Sequence, residues 1–140
     1  MRILGIDLGD VRTGLALSDP TEFLASTAGT IKESDLTVLA KKVAEFIKER
    51  EVGKVVIGLP LNMNGTKGPR AEKTEDFASR LKRYTDVPVD FMDERLTTAA
   101  AYTFMNQGEK RGKKRRETVD TDSAAIILQN YLDKSRAQRK

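Results

Sequence analysis

Three acidic positions indicate what chemistry this chain could perform. Asp7 interrupts the apolar run of residues 3–8, Asp93-Glu94 follows a second apolar run, and Asp120 stands near the C-terminus. An ionised carboxylate buried alone costs several kcal/mol, so it is usually paired, hydrogen-bonded or bound to a metal. Carboxylates suit magnesium or manganese, and two such cations can activate water and stabilise an in-line phosphoryl displacement. Together the acids therefore favour metal-dependent phosphoryl chemistry.

The amino-acid composition excludes several kinds of catalytic and metal-binding chemistry. The 140 residues include no cysteine and no histidine, which excludes disulfides, thiolate nucleophiles, imidazole bases and most zinc sites. An enzyme of this composition must use carboxylates, with Lys, Tyr and hydroxyls in support. Asp93-Glu94 and Asp120 each also have a structural explanation on their own, because an acid in the first turn of a helix offsets the helix dipole. The argument for Asp7, Glu94 and Asp120 therefore depends on all three together.

Two further segments could bind phosphate. The Gly- and Asn-rich loop of residues 58–70 follows a predicted strand and precedes a predicted helix, so it could offer backbone N–H groups and the charges of Lys67 and Arg70. Six of the seven residues 110–116 are basic, and residues 105–140 carry 10 Lys and Arg against 5 Asp and Glu. These segments are either an ordinary turn and a solvated loop, or contacts for a nucleic-acid backbone.

The acids are positioned by a predicted α/β sheet. The turn of residues 9–12 is too short for a parallel crossover, so the first two strands form an antiparallel hairpin. Right-handed crossovers then make the fourth and fifth strands parallel to the first, and sites form at the carboxyl ends of such strands. Gly9 indicates that some group approaches the backbone closely. The predicted strands are residues 2–8, 13–18, 23–31, 54–59 and 87–92, and the predicted helices start at Ser34 or Asp35, near Pro69, after residues 93–98 and near Thr118, with residues 110–116 as a loop.

The same patterns predict one domain over residues 1–140, a mixed five-stranded sheet with helices on both faces. No apolar stretch approaches the roughly 18 residues of a membrane span. Met1-Arg2 leads directly into the first strand, leaving no room for a signal peptide. We therefore expect a cytoplasmic protein with no membrane partner.

Several motifs in register resemble one known family. These are Ile6-Asp7-Leu8-Gly9 with Thr13-Gly14-Leu15-Ala16, Gly58-Leu59-Pro60-Leu61-Asn62-Met63-Asn64-Gly65, Asp93-Glu94-Arg95-Leu96-Thr97-Thr98, Val119-Asp120, and Ile127-Leu128-Gln129-Asn130-Tyr131-Leu132. In this order they resemble the YqgF family, also called RuvX or Holliday-junction-resolvase-like, over nearly the whole chain. The resemblance implies a three-layer RNase H-like fold and a metal-dependent nuclease that matures the 5′ end of 16S ribosomal RNA. Older usage calls such proteins Holliday-junction resolvases.

The resemblance also assigns roles to residues. It implies that Asp7, Glu94 and Asp120 are catalytic acids that bind Mg²⁺ or Mn²⁺, while Asp122 falls off the motif position and ranks below Asp120. Asp10 replaces the Thr or Ser often found in related folds, and it is either exposed in its turn or an outer-sphere acid. The expected substrate contacts are Arg12, Asn62, Arg70, Arg95 and Thr97, together with Lys110, Arg111, Lys113, Lys114, Arg115 and Arg116 of the basic run.

Other interpretations remain open at this stage. An actin-like phosphotransferase shares the Asp-x-Gly hairpin but needs two such domains, and 140 residues supply one. A non-catalytic RNA-binding module would use the basic run without metals. The expected partner is nucleic acid, either pre-rRNA, with or without the ribosome, or a four-way DNA junction. The patterns leave open one or two metals, endo- or exonucleolytic cutting, and a monomer or a weak homodimer.

Overall fold

The computed structural model describes residues 1–96 and the helix from residue 113 to residue 138, with side chains described for 1–95 and 123–137. The elements follow in the order β1 (Arg2–Asp7), β2 (Arg12–Ser18), β3 (Ala25–Lys32), α1 (Leu36–Glu49), β4 (Val52–Leu59), α2 (Pro69–Leu81), β5 (Val89–Asp93), a 3₁₀ turn (Glu94–Leu96) and α3 (Lys113–Gln138). Within the described residues, no helix is long and apolar enough to cross a membrane.

The five strands form one mixed sheet in the order β3-β2-β1-β4-β5. Strand β2 is antiparallel to both β1 and β3, whereas β4 is parallel to both β1 and β5. This topology confirms the predicted hairpin and the predicted parallel crossovers. The carboxyl ends of β1, β4 and β5 consequently lie side by side at one edge of the sheet.

Alternating side chains divide the sheet between two apolar layers. In β1, Leu4 and Ile6 belong to the cluster that includes α1 and α2, whereas Ile3 belongs to the cluster that includes α3. Helix α1 is capped by Asp35, one of the two residues predicted at its start, whose carboxylate accepts a hydrogen bond from the Val38 backbone amide at 3.0 Å. The result is the predicted three-layer arrangement of helices on both faces.

Helix α3 packs closely enough on the sheet to require glycine beneath it. A methyl group at Gly5 would lie 2.8 Å from Cβ of Leu128 and 3.2 Å from the carbonyl oxygen of Ala124. Further along α3, the Tyr131 hydroxyl donates to Asp90, near the start of β5, at 3.1 Å. The N-terminal half of α3 therefore extends toward the carboxyl ends of the parallel strands.

The helix boundaries near the C-terminus differ from the prediction. The last helix begins at Lys113 rather than near Thr118, so residues 113–116 of the basic run are helical and their prediction as a loop was wrong. Lys and Arg are good helix formers, and neither Gly nor Pro follows Gly112 to interrupt them. Helix α2 begins at Pro69, where the sequence predicted its start, and ends at Leu81. The predicted helix after residues 93–98 lies outside the described residues.

Candidate active site

The register of the parallel strands brings the candidate acids to one edge. Ile6 of β1 is paired with Ile57 of β4, so Asp7 and Gly58 are the next residues of the two neighbouring strands. Gly58 is in turn paired with Met92 of β5, two residues before Glu94. The ends of three strands thus deliver Asp7, Gly58 and Glu94 to adjacent positions.

Glu94 lies directly over the glycine at the end of β4. A methyl group at Gly58 would be 3.1 Å from Cγ and 3.2 Å from Cδ of Glu94, and 2.6 Å from Cδ1 of Ile127 in α3. The Glu94 side chain is half-buried, and this burial raises the pKa of its carboxyl group above the usual value. The positive charge of Arg70 acts in the opposite direction, whereas Asp93 raises the pKa further.

Asp7 shares this face of the sheet. It is the last residue of β1, it is partly buried, and it is paired with Gly14 of β2. Because side chains alternate along a strand, Asp7 is on the same face as Gly5, which α3 covers. Glu94 and Asp7 therefore approach the same side of the same edge, as the sequence predicted.

Asp120 belongs to the helix above this face, although its side chain lies outside the described part of the chain. It precedes Ala124 by four residues and Leu128 by eight, so the three positions share one stripe of α3. Ala124 and Leu128 lie over Gly5, and Asp120 is one turn closer to the carboxyl edge. Asp122 is two residues further along and not on that stripe. Among the described side chains, which omit Asp120 and Asp122, no group of three metal-ligating residues occurs.

Asp10 is exposed on the β1–β2 turn, one of the two expected possibilities. Its side chain is 92% exposed and forms an ion pair of 3.0 Å with Lys73 of α2, which lowers the pKa of the Asp10 carboxyl group. In the same turn, a methyl group at Gly9 would lie 2.1 Å from the carbonyl oxygen of Arg12. The group that approaches Gly9 is therefore the backbone of its own turn, which fixes the exit from β1.

The loop between β4 and α2 is held by its own hydrogen bonds. The backbone amide of Asn62 donates to the backbone carbonyl oxygen of Thr66 at 2.9 Å, and the backbone amide of Gly65 donates to the backbone carbonyl oxygen of Asn62 at 2.8 Å. Leu61 and Lys67 also form an antiparallel bridge. The Asn62 side chain donates to Oγ1 of Thr66 at 3.0 Å. Asn62, an expected substrate contact, thus also shapes this loop.

Arg95 has a structural role that its place in the sequence does not indicate. Its guanidinium lies 2.8 Å from Oδ2 of Asp93 and donates to the Met63 carbonyl oxygen at 3.1 Å. Arg95 therefore ties the β4–α2 loop to the end of β5, beside Glu94. Its expected contact with substrate stays a prediction.

The remaining expected contacts divide by location. Arg12 and Arg70 are exposed near the carboxyl edge, and the charge of Arg70 acts on both Asp10 and Glu94. Helix α2 begins at Pro69, and the residue before it, Gly68, provides no side-chain cap; Lys67 is paired with Glu75 at 2.7 Å. Thr97, Lys110 and Arg111 lie outside the described residues. The side chains of Lys113, Lys114, Arg115 and Arg116 are likewise not described.

The strand order, with β4 parallel to β1 and β5 and helices on both faces, defines an RNase H-like fold. Thermus thermophilus RuvC in complex with a Holliday junction substrate has a TM-score of 0.61 and 18% identity, over 94% of this chain and 93% of that one. The fowlpox virus Holliday junction resolvase has a TM-score of 0.56 and 15% identity, over 96% of this chain and 99% of that one. At these identities the likeness establishes the fold.

Sequence comparison identifies the family. The model of the family described as "RuvX: Holliday junction resolvase" matches residues 1–134, and the chain belongs to this family of phosphodiester-hydrolysing nucleases. A relative from Ruminiclostridium cellulolyticum is 45% identical over all of this chain and 99% of its own length. Another relative, from Heliobacterium modesticaldum, is 44% identical over 95% of this chain and 89% of its own length. Both carry the name "Putative pre-16S rRNA nuclease".

Gly58→Ala should reduce cleavage far more than stability. The added methyl group would push the Glu94 carboxylate aside by a few tenths of an ångström. Because a misplacement of about 1 Å at a reacting centre can cost about a hundredfold in rate, we expect a loss of up to about tenfold. The clash with Ile127 involves only the end of a flexible side chain, so we expect a small loss in melting temperature. Gly53→Ala is the matched control at the other end of β4, where the methyl group meets the exposed Met1 side chain. Equal cleavage rates for the two variants would contradict the position assigned to Glu94.

Proposed function

We propose that this protein is a metal-dependent nuclease that processes the 5′ end of pre-16S ribosomal RNA. One observation carries the proposal: the half-buried Glu94 carboxylate lies at the edge and on the face that Asp7 shares, beneath the helix that contains Asp120. Relatives at 44–45% identity, named for pre-16S rRNA, support the choice of substrate. The fold neighbours and the family description favour a four-way DNA junction as the second candidate.

The donor set at this edge fits a divalent cation. Within the described part of the chain, the Glu94 carboxylate has no hydrogen bond or ion pair, although burial disfavours its charge. Carboxylate oxygens are preferred ligands of Mg²⁺ and Mn²⁺, and Asp7, Glu94 and Asp120 would hold them. Bound there, the cations would supply a water of lowered pKa and stabilise negative charge on the phosphate oxygens.

Other residues of the chain would bind and orient the nucleic acid. Arg70, exposed in the first turn of α2, is close enough to act electrostatically on Glu94, so a phosphate bound by Arg70 would lie near the acids. The N-terminus of α2, with its unpaired N–H groups, favours an anion at the same place. Backbone contacts of this kind position a substrate without reading its sequence. Recognition would then depend on RNA shape or on the ribosomal context.

Cleavage assays on two substrates test the proposal. Purified protein is incubated with a 16S rRNA precursor that carries its 5′ extension, and with a synthetic four-way junction, each with Mg²⁺, Mn²⁺ or EDTA. We expect cutting of the precursor in the 5′ region that depends on the metal. Preferential cutting of the junction would favour the resolvase, and binding without cutting in any condition would favour a non-catalytic RNA-binding module.

Removing the basic residues should weaken binding in a salt-dependent manner. Lys113, Lys114, Arg115 and Arg116 are replaced by Gln, which preserves helix propensity. Each phosphate contact with a single strand contributes about 0.7 to the slope of log affinity against log salt, so the slope should become flatter by up to about 3. The control is Lys41→Gln with Lys48→Gln in α1, on the other face of the sheet. An unchanged slope in the fourfold variant would indicate a solvated segment without contacts to RNA.

A further inference from the structure

We propose that Met63 forms a contact site for an unpaired nucleobase adjacent to the phosphate that is cut. This inference rests on the proposed nuclease function and specifies the class of substrate. It predicts a preference for unpaired nucleotides over a continuous duplex at the cleavage site.

Met63 is the most exposed large apolar side chain among the described residues, at 89%. Single exposed apolar residues are common on protein surfaces, so exposure by itself does not indicate a site. The distinctive feature is the ordered loop that presents Met63. The Thr66 hydroxyl donates to Asn64 at 2.6 Å, and the Thr66 amide donates to the same oxygen at 3.1 Å.

The backbone of Met63 is also anchored to the candidate active site. Its carbonyl oxygen accepts a hydrogen bond from Arg95, and the same guanidinium is paired with Asp93. Gly65 has a φ of +87°, a backbone conformation that favours glycine. A methyl group added at Gly65 would lie 3.5 Å from Nη1 of Arg95. The loop tip is thus held beside the end of β5, where Glu94 begins the next turn, and a ligand on Met63 would lie close to the acids.

The surroundings of Met63 suit a nucleotide better than a protein surface. Residues 62–68 include no other large apolar side chain, so the loop offers no continuous apolar patch. A methionine thioether packs well on an aromatic ring, and each base has an aromatic face. Arg70, which has no side-chain hydrogen bond within the described residues, could hold the adjoining phosphate. In a duplex the faces of the bases are already stacked, so only an unpaired or displaced base can occupy this site.

Binding measurements without cleavage test the site. A fluorescent single-stranded RNA and a perfectly paired duplex of the same sequence are titrated with protein in EDTA, using wild type, Met63→Ser and Met63→Leu. We expect wild type to bind the single strand more tightly than the duplex. Met63→Ser should lose about tenfold in affinity for the single strand, toward the low end of the loss seen when a base–aromatic stacking contact is removed, and almost nothing for the duplex. Met63→Leu should retain most of the affinity.

Leu24→Ser is the matched control, because Leu24 is 59% exposed and follows β2 at the opposite edge of the sheet. Its affinities should equal those of wild type. The proposal is overturned if wild type shows no preference for the single strand, if Met63→Ser binds both RNAs like wild type, or if it loses equally on both. Precursor cleavage by wild type in Mg²⁺ is measured separately, so the nuclease function can stand when the Met63 site fails.

Discussion

Asp7→Asn should abolish cleavage while the fold is retained. The variant keeps the shape of the side chain at the end of β1 but removes the negative charge that a divalent cation requires. Loss of about 4 kcal/mol of charge stabilisation in the transition state corresponds to about a thousandfold in rate. The measurement is single-turnover cleavage of the 16S precursor in Mg²⁺, with circular dichroism and melting temperature recorded for each variant.

Asp10→Asn provides the control for this experiment. Asp10 lies three residues further along, on the same edge, but is exposed and paired with Lys73. We expect its cleavage rate to remain within a few-fold of wild type, because its carboxylate faces solvent and α2. A rate for Asp7→Asn close to that of wild type would remove Asp7 from the site. A loss for Asp10→Asn as large as that for Asp7→Asn would instead identify Asp10 as a participating acid.

Glu94→Gln should abolish cleavage and yet make the metal-free protein at least as stable as wild type at neutral pH. Burial raises the pKa of Glu94 in the folded state, so the folded state favours the protonated form more than the unfolded state does. Stability from this group is therefore present at low pH and is lost as pH rises through the ordinary pKa of 4.5 to the raised value. Above that pH range, the buried negative charge of Glu94 lowers the free energy of unfolding by a constant amount, and the neutral Gln side chain removes this destabilisation. Below the ordinary pKa, the variant and wild type should converge.

Divalent cations should reverse this order of stability. A ligand at a hundred times its dissociation constant stabilises the folded state by about 2.7 kcal/mol, which raises the melting temperature of a domain of this size by about 5–10 °C. Wild type should show this shift with Mg²⁺ or Mn²⁺, and Glu94→Gln should show little or none. Thermal melts across pH, with and without Mn²⁺, measure both effects. A variant that is destabilised without metal at neutral pH, and that still responds to Mn²⁺ as wild type does, would contradict the role of Glu94.

Local sequence patterns predicted the arrangement of strands because each depends on near neighbours. The short turn of residues 9–12 required a hairpin, and apolar runs separated by helices required parallel crossovers. Once β1, β4 and β5 are parallel, their carboxyl ends must share an edge. The shared position of Asp7 and Glu94 therefore followed from topology alone.

The contacts that shape the edge could not be predicted in the same way. Arg95 binds the Met63 carbonyl oxygen across 32 positions of sequence, and no local pattern encodes that partner. The role of Gly58 depends on the packing of Glu94 and Ile127 from two different elements. The start of α3 at Lys113 reflects the high helix propensity of Lys and Arg, and a dense run of like charges does not prevent these residues from forming a helix.

Anomalous diffraction from crystals grown with Mn²⁺ tests most directly whether the three acids share bound cations. The proposed site predicts at least one manganese peak about 2.0–2.3 Å from carboxylate oxygens of Asp7, Glu94 and Asp120, and its loss in crystals of Glu94→Gln. A fully occupied manganese site elsewhere in the molecule, with the Asp120 carboxylate directed away from Asp7 and Glu94, would contradict the account.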